Sequence, residues 1–260
     1  MASPRISIVI PVYNEQAILE SAVLDLCARL RAFGWDYEII LAENGSRDRT
    51  VSVAEELTGR YPEVRVFSLG EANYGAALRR GIELARGEIV LCEEIDLCDT
   101  TFHRQAVEML TKGGVHMVIG SKLLPGAEDD RPWARHAASQ LYNGLLRATL
   151  GFRGTDTHGL KAFLRDPLLP VARECVVEKD VFASEFVIRA YRAGLEIQEI
   201  PVQVHEKRRP SINLMNRVPN VLKSLIKLTW AIRIKGTRRV SWREHARHRA
   251  RPGDPERSLW

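Results

Sequence analysis

Between residues 6 and 92 this chain alternates short apolar runs with segments whose apolar residues recur every three to four positions. Ile6 to Ile10 is an apolar run ending at Pro11 and reads as a buried strand. Ile18, Ala22, Leu26 and Leu30 then fall at four-residue spacing, with Leu19 and Val23 beside them, and predict an amphipathic helix stopped by Gly34. Asn14 is placed to cap it. The cycle repeats with a strand at Tyr37–Ala42, a helix marked by Val51, Ala54 and Leu57, and a strand at Val64–Leu69. A helix marked by Ala77, Leu78, Ile82 and Ala85 follows, then Gly87 and a fourth strand at Glu88–Cys92. Three successive strand–helix–strand crossovers require parallel strands, hence an α/β, doubly wound, mostly parallel sheet flanked by helices. Such sheets bind ligands at the carboxyl ends of their strands. The loops to inspect are therefore Pro11–Glu15, Glu43–Asp48, Glu71–Gly75 and Glu93–Asp99.

Beyond residue 100 the order is less regular. A helix near Phe102–Lys112, a strand near Val115–Gly120, an acidic loop at Pro125–Pro132 and a helix near Ala134–Leu150 are predicted. Leu160–Leu164, Phe182–Ala193 and Glu196–Val204 read as strand, helix, strand. A chain of 260 residues that is 45% hydrophobic suffices for one large domain, or one with a small appendage. Cys27, Cys92, Cys98 and Cys175 show neither zinc spacing nor a CxxC pair and read as buried reduced thiols of a cytosolic protein. No signal peptide is visible, and no apolar run reaches the roughly 18 residues of a spanning helix.

Charge is distributed unevenly. Residues 207–260 hold 15 Lys and Arg against 3 Asp and Glu, a net +12, whereas 23 against 30 in residues 1–206 leaves −7. Such a basic segment suits anionic lipid, nucleic acid or a phosphorylated acceptor. Nucleic acid is not expected, because Trp230, Trp242 and Trp260 are too scattered to stack bases. Val218, Val221, Leu222, Leu225, Leu228, Thr229 and Ile232 form an apolar stripe, with Lys223, Lys227, Arg233 and Lys235 mostly off it. This is either a helix packed back on the domain or a basic amphipathic helix on an anionic membrane.

The predicted loops contain the chemistry. Glu94 and Asp96 follow the fourth strand two residues apart, so in an extended segment both carboxylates point the same way. Mg²⁺ or Mn²⁺ binds through one or two carboxylates plus substrate phosphate oxygens, and a cation would relieve the repulsion in this cluster, which Glu93 and Asp99 extend. The alternative is a solvated acidic loop. Glu43 and Asn44 can reach a base or ribose edge, Gly45 permits a sharp turn, and Ser46 or Asp48 can cap the next helix. Asn73-Tyr74-Gly75 opens a helix whose small residues let backbone approach an anion.

Taken together these pieces resemble family 2 glycosyltransferases. Val9-Ile10-Pro11-Val12-Tyr13-Asn14-Glu15 is similar to the family's "IPxYNE", and Glu43 to Thr50 to its "DDGSxDGT". Asn73 to Glu88 resembles "NxGxxxAxxxGxxxAxGE", and Glu94-Ile95-Asp96 stands where the family has "DxD". Gly120-Ser121-Lys122 resembles "GSR", and Asp156 to Phe163 resembles "DxxxGxKxF". Phe182 to Glu185 with Arg189-Ala190 resembles "FDxExxxRA", and Glu199 to Ser211 resembles "EVPVxxxxRxxS". The eight pieces run in order over residues 6–212, and among the family's branches they look like the dolichol-phosphate mannosyltransferase-like, polyprenyl-phosphate enzymes. The chain departs from the family at Glu43, Asn44, Glu94 and Ala183, where the motifs carry Asp.

The resemblance implies a GT-A fold over residues 1–212, with a nucleotide half near 1–122 and an acceptor half near 123–212. A basic amphipathic helix at 213–236 and a flexible tail at 237–260 would follow. It implies an inverting transfer of a hexose from a UDP- or GDP-sugar donor, with Mg²⁺ or Mn²⁺ on Asp96 and Glu94. The acceptor would be polyprenyl phosphate or another membrane-proximal molecule, in a cytoplasmic protein peripheral to the inner face of the membrane. The donor would meet Pro11, Tyr13, Glu15, Glu43, Asn44, Ser46, Asn73, Gly75, Glu94, Ile95, Asp96, Lys122, Arg208 and Ser211, with Arg209 a further cation. Alternatives are a soluble hydroxyl acceptor, or a nucleotide-binding homologue without catalysis. A hydroxyl acceptor needs a general base, for which Glu185 or Asp156 is the candidate; a phosphate acceptor needs none. Glu185 has a plainer reading, a pair with Arg189 at i, i+4, and Asp156 could be a turn residue.

Overall fold

Apolar residues alternating along each strand set the two faces of the sheet. In β1 (Ile6–Val12), Ile6, Ile8, Ile10 and Val12 join one core cluster while Val9 joins the other, as a period of two requires. The computed structural model describes residues 5–129, 133–177, 181–204, 223 and 225–233. β2 (Tyr37–Glu43), β3 (Val64–Ser68) and β4 (Ile89–Cys92) stand with β1 in the order β3-β2-β1-β4, all parallel. The crossovers are α1 (Leu19–Ala32), α2 (Thr50–Arg60) and α3 (Tyr74–Leu84), as the alternation predicts.

The second half adds α4 (Thr100–Lys112), β5 (Met117–Ser121), β6 (Glu128–Asp129), α5 (Trp133–Leu150) and β7 (Lys161–Leu164). It continues with α6 (Arg165–Glu174), α7 (Phe182–Arg192), β8 (Ile197–Pro201) and β9 (Gln203–Val204). β7 inserts antiparallel between β4 and β5, and β8 pairs parallel with β5. The seven-stranded order is β3-β2-β1-β4-β7-β5-β8, and β6 pairs with β9 beside it. The α/β, mostly parallel, doubly wound sheet is present, with one reversed strand. Residues of α1, α2 and α4 pack in one core cluster, and residues of α3, α5, α6 and α7 in the other.

The expectation at Asn14 is corrected, that for the start of α2 narrows from Ser46 or Asp48 to Asp48, and one helix is added. Asn14 does not cap α1, which starts at Leu19 behind Ile18 and has no side-chain cap. Asn14 is left-handed (φ 55°), and its Oδ1 accepts the Arg47 N–H at 2.9 Å while its own N–H donates to Ser46 Oγ at 2.9 Å. Ser46 is thereby drawn away from α2, and Asp48 Oδ1 takes the Thr50 N–H at 2.9 Å instead. The added helix is α6, which the sequence reading does not contain. Pro167 lies in the first turn, where no N–H is needed, and Pro170 forfeits one bond. Burial of Leu168, Leu169, Val171 and Ala172 holds the helix despite that loss.

Residues 225–233 are helical and dock on the body. Leu225, Leu228, Ala231 and Ile232 are buried in the core. Arg192 donates to the carbonyls of Leu150 and Ile232, and Arg233 to that of Thr149. Val218, Val221 and Leu222 of the expected stripe, Lys235, and the expected tail at 237–260 lie outside the described residues. No helix among the described residues is long and apolar enough to cross a membrane. The four cysteines are free and buried.

Candidate active site at the carboxyl edge of the sheet

A proline opens the site. The β1–β4 register ends at Val9↔Cys92, and the Val9 carbonyl accepts a last N–H from Glu93 at 3.1 Å. Pro11, two residues on, faces the same side and has no N–H to offer, so the ladder stops there. The order of strands reverses between β1 and β4, the place where open α/β sheets take ligands.

One wall of this mouth is a frame of three interlocked loops. Glu15 N–H donates to Thr50 Oγ1 at 2.7 Å, which with Asn14 ties the loop after β1 to the loop after β2. Asn44 Oδ1 accepts the Asn73 N–H, and Asn73 Oδ1 accepts the Ala76 N–H at 3.1 Å to cap α3. Gly45 is left-handed (φ 72°), and a Cβ there would lie 2.5 Å from the Glu71 carbonyl carbon, so no other residue fits. Glu43 is fully buried and accepts from the Ser46 N–H at 2.5 Å and from the Ser68 hydroxyl. Burial pushes its carboxyl up, but the bonds from Ser68 and Ser46 outweigh this and hold it below its ordinary value. Glu43 and Asn44 thus hold the frame from within, Gly75 is buried in the first turn of α3, and Tyr13 stands exposed at the rim.

Opposite lies the acidic loop. The segment is a turn rather than the extended strand end the sequence suggests: Leu97 and Cys98 N–H groups both return to the Glu94 carbonyl, at 3.0 and 3.3 Å. Ile95 is buried in the core and anchors the turn, while Glu94 and Asp96 open to solvent. The Glu94 side chain is exposed. Partial desolvation there raises its carboxyl, and repulsion from Asp96 adds to the rise; Lys122 and Lys161 partly offset both. Asp96 also lines a cavity of about 550 Å³ with Asp99, Gln105 and Gln203.

The floor is built by β5 and β7. Gly159 packs on the β5 backbone so closely that a Cβ would lie 1.7 Å from the Gly120 oxygen. This contact seats the buried Asp156, whose Oδ2 lies 2.8 Å from Lys122 Nζ and whose Oδ1 accepts the His158 N–H at 2.9 Å. Burial raises the Asp156 carboxyl and the Lys122 cation lowers it more, leaving it below its ordinary value. The buried Lys161 amine donates to the Gly159 carbonyl at 2.7 Å, and burial lowers its pKa. Glu185 sits apart from this floor in α7, fully buried. It accepts from Arg189 Nε at 2.7 Å and from the N–H groups of Val176 and Val177 at 3.0 and 2.6 Å.

The donor set fits a hard divalent cation completed by substrate oxygens. Two carboxylates meet on one loop, where desolvation first and their mutual repulsion second raise the Glu94 carboxyl. Among the described residues no group of three or more His, Cys, Asp or Glu could hold a metal unaided. The structure thus brings Glu94, Asp96, Lys122 and Asp156 to one mouth and assembles the frame from Pro11 to Gly75. Arg208, Arg209 and Ser211 lie outside the described residues. Sequence reasoning missed His103, whose Nε2 meets Glu93 with both side chains fully buried. The available signal was a His on the apolar face of α4 beside Phe102, Ala106 and Val107.

The profile described as glycosyl transferase family 2 matches residues 7–169. Glycosyltransferase AglD of Haloferax volcanii is 29% identical over 92% of this chain and 40% of its own length. Undecaprenyl-phosphate 4-deoxy-4-formamido-L-arabinose transferase of Edwardsiella ictaluri is 30% identical over 78% of this chain and 60% of its own. The chain therefore spans about half the length of these curated relatives. Glucosyl-3-phosphoglycerate synthase from Mycobacterium tuberculosis, solved with Mn²⁺, UDP and phosphoglyceric acid, superposes at a TM-score of 0.60. It is 23% identical, over 87% of this chain and 78% of that one. The GT-A fold that the resemblance implies is the fold observed.

Proposed function

This chain belongs to glycosyl transferase family 2, and from that premise we propose that it moves a hexose from a UDP- or GDP-sugar to polyprenyl phosphate with inversion. The observation that carries this reading is the placing of Glu94 and Asp96 on one turn at the mouth between β1 and β4, beside the Lys122–Asp156 pair. The donor diphosphate lies over this mouth, its nucleoside against the frame of Pro11, Tyr13, Glu15, Glu43, Asn44, Ser46, Asn73 and Gly75. Asp96, with Glu94 and Ile95 on the same turn, would hold Mg²⁺ or Mn²⁺, which when bound supplies charge neutralisation to the departing diphosphate. Lys122 adds a cation to the phosphates, and Arg208 and Ser211 are assigned there by resemblance alone.

A phosphate acceptor suits the carboxylates. Glu185 is fully buried with both oxygens engaged, and Asp156 is buried beside Lys122, so neither is placed to deprotonate a hydroxyl. An acceptor phosphate oxygen, already ionised, attacks the anomeric carbon from the face opposite the leaving group. The new C–O bond forms as the bond to the donor's β-phosphate oxygen breaks, and the nucleoside diphosphate leaves with that electron pair. The undecaprenyl-phosphate relative favours this acceptor class. A soluble hydroxyl acceptor would require one of the two buried carboxylates to be released.

A peripheral site on the inner face of an anionic membrane accompanies this reading. The helical segment 225–233 turns Ile226 and Trp230 outward, and Lys223, Lys227 and Arg233 are exposed around them. Apolar side chains ringed by cations suit a leaflet of anionic lipid. Co-sedimentation with anionic vesicles should be lost on truncation after Asn216. Metal-dependent release of UDP or GDP from a donor panel, with polyprenyl phosphate and soluble alcohols as acceptors, tests the whole reading. Turnover only with the lipid phosphate supports it; turnover only with an alcohol overturns the acceptor assignment.

A further inference from the structure

We propose that the buried Glu93–His103 pair is a positioning clasp for the acidic loop and sets the affinity of Glu94 and Asp96 for the divalent cation. The inference rests on the metal role proposed above for those two carboxylates. Glu93 is the first residue past β4, and His103 lies in the first turns of α4, so the chain leaves and returns to a single point. There His103 Nε2 meets Glu93 Oε1, with both side chains fully buried.

Everything between them is tightly determined. The Glu94 carbonyl collects two N–H groups, Cys98 is held left-handed at φ 35°, and Asp99 caps α4 through the N–H groups of Thr101 and Phe102. Left-handed backbone at a residue with a Cβ persists only where its surroundings impose it. The clasp is not required for α4 itself, which is already capped and buries Phe102, Ala106, Val107 and Leu110. Two apolar side chains would fill the space without loss. The chain instead keeps Glu93 Oε2 and His103 Nδ1 buried without a hydrogen-bond partner, an arrangement that costs stability. Its return is directional. The pair fixes the end of β4 against the start of α4, and so fixes where the loop holds its carboxylates. Partners one layer behind metal ligands typically govern affinity by roughly 10–100-fold.

The test titrates Mn²⁺ into the full-length protein in the presence of UDP and, separately, GDP, reading free Mn²⁺ by electron paramagnetic resonance. A double variant, Glu93→Leu with His103→Leu, removes the clasp without leaving a charge unpaired. It should fold and bind Mn²⁺ roughly 10–100-fold more weakly, with kcat recovering at saturating Mn²⁺. His103→Gln, long enough to donate to Glu93, should recover most of the affinity, and the shorter His103→Asn should not. If the double variant does not fold, the Gln–Asn difference decides, and equal affinities for those two overturn the proposal. A folded double variant with wild-type Mn²⁺ affinity overturns the clasp alone. A wild-type protein that binds no Mn²⁺ with either nucleotide overturns both the clasp and the metal reading beneath it.

Discussion

The two ends of the central sheet hold their charges differently. At the amino end, Glu38 accepts from Ser7 Oγ at 2.7 Å, the Arg86 N–H at 2.7 Å and Arg65 Nη1 at 2.6 Å, while the Gly87 N–H reaches Ser7 Oγ at 2.8 Å. Burial raises the Glu38 carboxyl, but these bonds outweigh it and hold the pKa below its ordinary value of 4.5. At the carboxyl end Glu43 is satisfied in the same way, but around the loop after β4 the sums do not close. Among the described residues four buried side-chain atoms lack a hydrogen-bond partner. Three of them, Glu93 Oε2, His103 Nδ1 and Asp156 Oδ2, are at this end, although Asp156 keeps Lys122 as an ion pair. Glu94 is raised where Glu38 is lowered. The amino end is finished as folded, whereas the carboxyl end retains charge that a bound cation and diphosphate would complete.

Substitutions at the two ends should therefore fail differently. The largest effect is expected for Asp96→Ala. Sugar transfer should fall by roughly 10³-fold, the loss of several kcal/mol of charge stabilisation, with the melting temperature moved by only a few degrees. Glu38→Ala should invert that result. Breaking the pair strands Arg65, and denaturant unfolding should show a loss of about 2–4 kcal/mol, tempered because Arg65 keeps some access to water. Its kcat at a temperature where it is folded should match wild type. A reversal of these two outcomes would erase the contrast between the ends.

The contrast was only partly legible in the sequence. The four parallel strands could be read because each has a continuous apolar run and each crossover helix a clean stripe, as in Ile18, Ala22, Leu26 and Leu30. The reversed strand β7 could be read as a strand but not as antiparallel, because neither direction nor neighbour is written in four residues. Helix α6 was hidden by Pro167 and Pro170, whose local preference is outweighed by burial of four apolar side chains. Glu94 and Asp96 could be placed after a strand end, but their two-residue spacing suggests an extended segment where the chain makes a turn. The clasp was hidden, because His103 is separated from Glu93 by ten positions and a lone histidine on an apolar helix face has no motif. Glu43 and Asn44 were legible as residues at a strand end, but the bracing of the loop frame by their side chains was not. That bracing depends on Ser68 and Asn73, which come from the end of β3 and the loop after it.

Smaller effects sharpen the comparison. Glu94→Gln should weaken Mn²⁺ binding by roughly 10-fold or more without lowering the melting temperature. Its carboxyl is raised in the folded protein, so above that pKa the charge disfavours folding, and removing it relieves repulsion from Asp96. Calorimetric melting of the variant beside wild type checks the sign; a clear drop would place Glu94 with the finished network instead. Glu38 works in the other direction. Its lowered pKa contributes stability that is present above its ordinary 4.5 and lost as pH falls through the folded value. The gap in melting temperature between wild type and Glu38→Gln should thus close as pH is lowered from about 7 to about 3. A gap that stays constant would remove the ionised Glu38 from the account.

The most direct measurement is an anomalous difference map from crystals of the full chain grown with Mn²⁺ and UDP or GDP. The account predicts one strong peak at the mouth between β1 and β4, within roughly 2.5 Å of an Asp96 carboxylate oxygen and bridged to the nucleotide diphosphate. A nucleotide bound there with no manganese on Asp96, or manganese held elsewhere, would contradict it.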